Sequence, residues 1–279
     1  KRGGVSAAPH SSVPGSQSPA TRSTGKIIAA GVIGGFLAGL FGVGGGIVMV
    51  PLFVLWLGLD QRRAVTTSLV AIIPIAVFGI AGYATGDAVE WLVGLVIGVG
   101  SIVGALFGTW LLPRIPIPAL QLAFAALLLY SAYRLVFPPE FGPPISSADE
   151  PWVLLVIMGM IAGVIAALLG VGGGIIIVPA LVLLVGSSLT DARGTSLLVV
   201  LITAIAASVT NVSQGRADTR IGVIAGIAGA PASLAAAFVA HWMPEKQAAI
   251  LFALLMLVAT VQLLRRAISA LRSDEPATT

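Results

Sequence analysis

The chain has 279 residues with a mean hydropathy of +1.05, 57% of them hydrophobic and only 9% charged, against roughly 25% charged in a soluble domain. That leaves too little polar surface to cover soluble domains, so the composition requires an integral membrane protein. The lack of cysteine removes disulfides and thiolate metal sites, and the net charge of +4 forms no basic stripe with interleaved aromatics, which argues against nucleic acid as a partner.

In chain order, residues 1–26 are rich in Ser, Pro, Gly and Ala and read as a disordered tail. Five apolar segments follow at 27–41, 46–58, 64–85, 91–112 and 117–137, which make a first transmembrane repeat over 27–137. The stretch 138–151, with five prolines and three acids, is a linker. A second repeat over 152–271 holds segments at 152–169, 174–186, 195–212, 221–242 and 248–270, ahead of a C-terminal tail at 272–279. No Lys, Arg, Asp or Glu occurs in 64–86 or 91–112, and runs of about 20 apolar residues match the thickness of the hydrocarbon core. The first two segments of each repeat are short, since fifteen helical residues reach only about 22 Å against about 30 Å of hydrocarbon. Trp91, Trp110, Trp152 and Trp242 stand at segment ends, as interfacial anchors do.

The two halves read as copies. The pattern GVGGG-x4-P occurs at 42–51 and 170–179, and Pro51 and Pro179 are 128 positions apart. The same offset carries Gly58 onto Gly186, Ala64 onto Ala192, Thr67, Ser68 and Leu69 onto Thr195, Ser196 and Leu197, and Gly94 and Gly98 onto Gly222 and Gly226. Chance matches would drift, so a constant register argues duplication.

Charge placement tests the topology. If the first two segments of each repeat go in and come back, twelve of the fifteen basic residues share one side with both termini. Arg134, Arg193, Lys246 and seven of the eleven acids then lie on the other side. A single continuous span for each glycine-broken pair would erase the bias once the tail is set aside. The positive-inside rule therefore selects the in-and-back arrangement, with both termini cytoplasmic in a cell-membrane protein. It leaves open ten full crossings or six crossings with two re-entrant hairpins. An in-and-back pair plus three crossings is an odd unit, so the second copy must enter from the opposite face. The expected fold class is an all-α polytopic membrane protein of two inverted repeats, each with five hydrophobic segments.

The glycine breaks are the sharpest functional feature. Each glycine costs a helix about 1 kcal/mol relative to alanine, so four in five residues predict an unwound turn, which lipid tolerates only where protein or a water-filled cavity surrounds it. The second segment starts directly after the break. Its first N–H groups lack intrahelical partners and carry partial positive charge, a combination that binds anions without Lys or Arg. Gly44, Gly45, Gly46, Gly172, Gly173 and Gly174 are therefore candidate substrate-binding residues. Thr67, Ser68, Thr195 and Ser196 could donate hydroxyls to an anion, or bond helix carbonyls instead. Asn211, the most polar residue well along a span, is either a ligand or an interhelical hydrogen-bonding group. Small-residue pairs such as Gly35/Gly39, Gly94/Gly98, Gly159/Gly163 and Gly222/Gly226 read as helix packing, and Pro74 and Pro231 as kinks. No acidic or basic residue stands unambiguously in mid-span, and His241 abuts Trp242 at a segment end.

Without a dyad, a mid-span His or paired carboxylates, an intramembrane enzyme is disfavoured, and no catalytic residue, metal or cofactor is expected. The GVGGG turn is not a nucleotide loop, since no Gly-Lys-Ser/Thr follows. The expected partners are a small anion and the lipid bilayer, and a homodimer stays open.

The paired constellation of G-x-x-x-G, GVGGG, a proline and A-x-x-TSL resembles the TauE/SafE family of sulfite and organosulfonate exporters over about residues 27–270. The resemblance implies a multi-pass carrier that moves small sulfur-containing anions such as sulfite, sulfoacetate or other sulfonates outward. A carrier or channel for another small anion, a carboxylate or oxyanion, is the alternative. One departure from the repeat is that Gly194 stands where the first copy has Thr66, so a hydroxyl is lost.

Overall fold

The computed structural model describes residues 24–111 and 152–273, together with ten positions between 122 and 137. Most of the N-terminal tail, the linker, most of the fifth segment of the first repeat and the last six residues lie outside the described residues. Every regular element described is helical: α1 (Thr24–Phe41), α2 (Gly46–Leu57), α3 (Gln61–Ala84), α4 (Trp91–Leu111), α5 (Trp152–Leu169), α6 (Gly174–Ala180, continued by a π-helical turn over Leu181–Val185), α7 (Leu189–Ser213), α8 (Thr219–Trp242) and α9 (Glu245–Ser273). Seven of these, all but α2 and α6, are long and apolar enough to cross a membrane. The chain is thus an all-α polytopic membrane protein. Large apolar side chains such as Leu92, Val99, Phe107, Ile227 and Val258 cover its outside, as a lipid solvent requires. Trp91, Trp152 and Trp242 are exposed at helix ends.

Helix starts follow side-chain caps. Asp60 accepts a hydrogen bond from the Arg63 N–H (3.0 Å) at the start of α3, and Asp218 accepts one from Ile221 (3.2 Å) at the start of α8. At α7 the capping is reciprocal: the Ser188 hydroxyl accepts from the Asp191 N–H (3.1 Å) and donates to the Asp191 carboxylate (2.6 Å). This cap starts α7 six residues before the segment boundary expected at Thr195. Arg193, assigned from sequence to an inter-segment gap, therefore lies inside a helix and is 1% exposed.

The halves are built into each other. Glycines of α1 pack on the backbone of α8, Gly31 on Ala225, Gly35 on Gly229 and Gly39 on Ser233. Glycines of α5 pack in the same way on α4, Gly159 on Ile97 and Gly163 on Ser101. The Gly31 and Gly35 contacts map onto those of Gly159 and Gly163 at the 128-residue offset. Contacts between Gly222 and Val70 and between Gly226 and Pro74 join α8 to α3, and their equivalents, Gly94 with Leu198 and Gly98 with Ile202, join α4 to α7. Such reciprocity, i on j and j on i, is the mark of a two-fold relation. The residue order also sets direction. Numbers rise together along α1/α8, α3/α8, α4/α5 and α4/α7, so those pairs run parallel. Between α3 and α7 they run oppositely, with Tyr83 against Gly194 and Gly79 against Leu197. Equivalent helices of the two halves are therefore antiparallel.

A side chain at these crossings has nowhere to go, because a Cβ at Gly35 would meet the Gly229 carbonyl and one at Gly163 the Ser101 carbonyl. Gly35→Leu and Gly163→Leu are each expected to destabilise by about 1–3 kcal/mol, whereas Val99→Ala on the exposed face of α4 stays near neutral. Thermal unfolding in detergent measures the difference.

Candidate functional site

Each short helix folds back along the helix before it, and the turn between them is where the two halves meet. Gly42 and Gly170 close the first helices through N–H bonds to Ala38 and Ala166 (2.8 Å each). The chain then passes through left-handed backbone, with φ of 77° and 72° at Gly44 and Gly45 and of 83° and 84° at Gly172 and Gly173. Only glycine adopts these angles without strain. Gly45 and Gly173 are the N-caps of α2 and α6, and no side chain caps either. Their carbonyls accept the N–H groups of Val48 and Met49 and of Ile176 and Ile177 at 3.0–3.2 Å. Among the described residues nothing accepts from the N–H groups of residues 43–47 or 171–175.

The turns touch one another. Gly46 packs on the Gly170 carbonyl and Val171, and Gly174 on the Gly42 carbonyl and Val43. Gly44 and Gly172 both rest on Val200 and Ile72, which occupy the middle of α7 and α3. The turns therefore sit at mid-depth in the bundle. A narrow groove, part of it open to the outside, reaches this meeting point between α2, the second turn and α9, with Gly46, Val171, Gln61 and Gln262 in its lining.

The four predicted hydroxyls divide by role. Ser68 donates to the Gly170 carbonyl and Ser196 to the Gly42 carbonyl, each at 2.8 Å, so each half fastens the other's turn. Thr67 accepts from the Asp218 N–H and Thr195 from the Glu90 N–H, each at 2.9 Å. The threonines therefore spend a lone pair and keep a hydroxyl proton, while the serine protons are engaged. Asn211 is fully buried and donates to the Ala207 carbonyl of its own helix (2.8 Å), while its Oδ1 has no partner among the described residues. It stands 128 positions from Tyr83, whose hydroxyl donates to the Gly39 carbonyl (2.8 Å). The lost hydroxyl at Gly194 also has a physical counterpart. Thr66 donates to the Arg216 carbonyl (2.8 Å), whereas a Cβ at Gly194 would collide with the Ala88 carbonyl, the equivalent acceptor.

Arg193 is the residue that sequence reading missed. Its Cα, Cβ and carbonyl pack against Gly42. The Ser188-x-x-Asp191 capping pattern was the signal that would have placed it inside α7.

The family model for the sulfite exporter TauE/SafE matches residues 4–135 and 155–278, both halves of the duplication. The chain belongs to the TauE/SafE family. Among curated relatives, this TauE/SafE protein is 32% identical over 125 residues to the probable membrane transporter protein YunE of Bacillus subtilis, covering 42% of this chain and 45% of the relative. It is 29% identical over 161 residues to a probable membrane transporter protein of Methanocaldococcus jannaschii, covering 56% and 60%, and 26% identical over 188 residues to YdhB of Bacillus subtilis, covering 66% and 77%. The chain thus spans about half the length of the first two relatives it matches.

Removing the hydroxyl of Ser68 or Ser196 leaves a buried turn carbonyl short of a partner, at a cost of about 1–3 kcal/mol. Ser68→Ala and Ser196→Ala are expected to lower thermal stability to a similar extent, and their double variant to add unless the two turns move together. Melting of the purified variants in detergent gives all three values.

Proposed function

We propose that this protein is a secondary transporter that exports small sulfur-containing anions, sulfite and organosulfonates such as sulfoacetate, across the cell membrane by alternating access. The observation that carries the reading is the pair of glycine turns at mid-depth. Each offers consecutive backbone N–H groups with no acceptor among the described residues, and an N–H shut away from water without a partner costs about 1–3 kcal/mol. Water or an anion is the natural acceptor, and the start of α2 adds a helix dipole of about half a positive charge. Ser68 and Ser196 hold the turns in register, while Thr67 and Thr195 fasten the loops that lead into α8 and α4.

The antiparallel run of α3 and α7 supports inverted repeats in the bilayer, the architecture in which one half rocks against the other around a central site. With the in-and-back hairpins and the distribution of basic residues, it supports both termini being cytoplasmic. The groove beside Gly46 would then be the approach from the cytoplasmic side, and its Gln61 and Gln262 carboxamides suit a solute that is losing water. Membership of a family named for sulfite export favours sulfur oxyanions as cargo.

Uptake of labelled sulfite into proteoliposomes, competed by sulfate, sulfoacetate and chloride, tests the assignment. Saturable uptake blocked by sulfonates is expected. Non-saturating conductance would mark a channel, and failure to move any sulfur oxyanion would remove the cargo. Gly173→Ala probes the turn itself, because a Cβ there lies 3.1 Å from the Ala162 carbonyl and 3.4 Å from the Ala166 Cβ, and left-handed backbone costs a non-glycine residue about 1–2 kcal/mol. The variant is expected to insert normally and to lose at least about tenfold in flux, the equivalent of about 1.4 kcal/mol.

A further inference from the structure

The groove beside the first turn has walls of hydrocarbon. Ile47, Val50, Pro51, Leu169 and Leu263 line it, and none of the described residues in its lining is charged. Its side-chain hydrogen-bonding groups are the carboxamides of Gln61 and Gln262, both neutral. At its inner end stands Gly46, the first residue of α2, behind the turn whose N–H groups have no acceptor among the described residues. One end of this passage suits an anionic head, and the rest suits an apolar body.

The repeat shows that the fold does not require such a groove. Ile47 and Gln61 are half-buried, whereas their equivalents at the 128-residue offset, Ile175 and Leu189, are buried at 1% and 7% exposure. The same pattern of residues packs shut around α6 and stays open beside α2. A lining of this kind discriminates among anions. A bare oxyanion such as sulfite carries charge on every face, and stripping its water is costly unless charges or hydrogen bonds replace it. Walls of Ile, Leu and Pro replace none of it. An anion with its charge at one end leaves the head to the N–H groups and gains by burying its body, as in small-molecule sites with few polar groups.

We propose that this groove selects monovalent organic anions with a short alkyl body, such as alkanesulfonates, over sulfite and other bare oxyanions. The proposal rests on the anion-carrier reading above and narrows its cargo. The head lies toward Gly46 and the chain runs along Ile47, Val50 and Leu263. Ile47 and Leu263 are then specificity-determining residues, because they form the walls against which the chain is buried. Affinity rises about fourfold with each methylene covered, the equivalent of about 0.8 kcal/mol.

The experiment measures KM in proteoliposomes for labelled sulfite and for labelled methane-, ethane-, propane- and butanesulfonate, with uptake into protein-free liposomes subtracted. KM is expected to fall about fourfold per methylene as far as propanesulfonate, and to be at least tenfold lower for propanesulfonate than for sulfite. Leu263→Phe fills the groove from α9 and is expected to lower the preference for butanesulfonate over methanesulfonate at least fivefold. A general loss of folding moves both solutes alike and leaves that ratio unchanged. A KM that is flat across the series, or lower for sulfite than for propanesulfonate, overturns the proposal and leaves the anion carrier standing. An unchanged ratio in inserted Leu263→Phe also overturns it. Where that variant does not insert, Ile47→Ala decides: a fall of less than twofold per methylene supports the proposal, and a retained fourfold fall overturns it. If the wild type moves no sulfur anion but takes up carboxylates, the sulfur cargo falls and the same comparison is decided on acetate, propionate and butyrate. If it moves no anion at all, the carrier reading and this inference fall together.

Discussion

Backbone N–H groups taken out of water need an acceptor, and this protein keeps two glycine turns full of them at its centre. In a bilayer such turns survive only inside protein or against a water-filled cavity, and neither half can enclose its own. Gly42 is covered by Arg193 of the second half and Gly170 by Val65 of the first, while the serine that ties down each turn comes from the opposite half. The reciprocal packing of α1 on α8 and α5 on α4 follows from the same need. It brings bare backbone into a protein environment by letting small residues lie on opposing carbonyls.

In a nearly symmetric scaffold of this kind the repeated and the unrepeated residues can be told apart. Whatever is repeated at the 128-residue offset, the turns, the serine latches and the threonine acceptors, builds the centre. Whatever is not repeated makes the two ends different. Arg193 against Val65, Tyr83 against Asn211 and Thr66 against Gly194 are the clearest departures, and all three lie close to the point where one half clasps the other. Tyr83 extends this polar patch further, since its ring lies 5.3 Å from that of His241, whose Nδ1 is bonded at 2.9 Å to the Ala237 carbonyl.

Much of this was legible in the residues. Composition alone required a membrane protein, the offset of 128 identified the copies, and four glycines in five residues placed the breaks where left-handed backbone is found. Small-residue pairs such as Gly35/Gly39 and Gly159/Gly163 turned out to be backbone-to-backbone crossings. What could not be read was partnership. Periodicity in a chain that is apolar on every face does not say which helix meets which, so the packing of α1 on the distant α8, besides its neighbour α2, was hidden. Arg193 was misplaced for a related reason. A charge in an apolar chain reads as a boundary, and only the Ser188–Asp191 cap shows that the helix had already begun. The hydroxyls of Thr67 and Ser68 were visible as a repeated pair, but adjacent positions on a helix face different directions, and that alone assigns one to accept a loop N–H and the other to hold a turn.

The exchanged packing of the halves also bears on how the chain is made. Gly31 finds its seat on Ala225, 194 positions later in the sequence, and synthesis at about 5–20 residues per second separates the two by roughly 10–40 s. For that interval α1 sits in the bilayer with its glycine face against lipid and its half-helix partner unlatched. The first half of the nascent protein is therefore a guest without a host, dependent on the insertion machinery or on lipid to shield a surface built for a segment not yet translated.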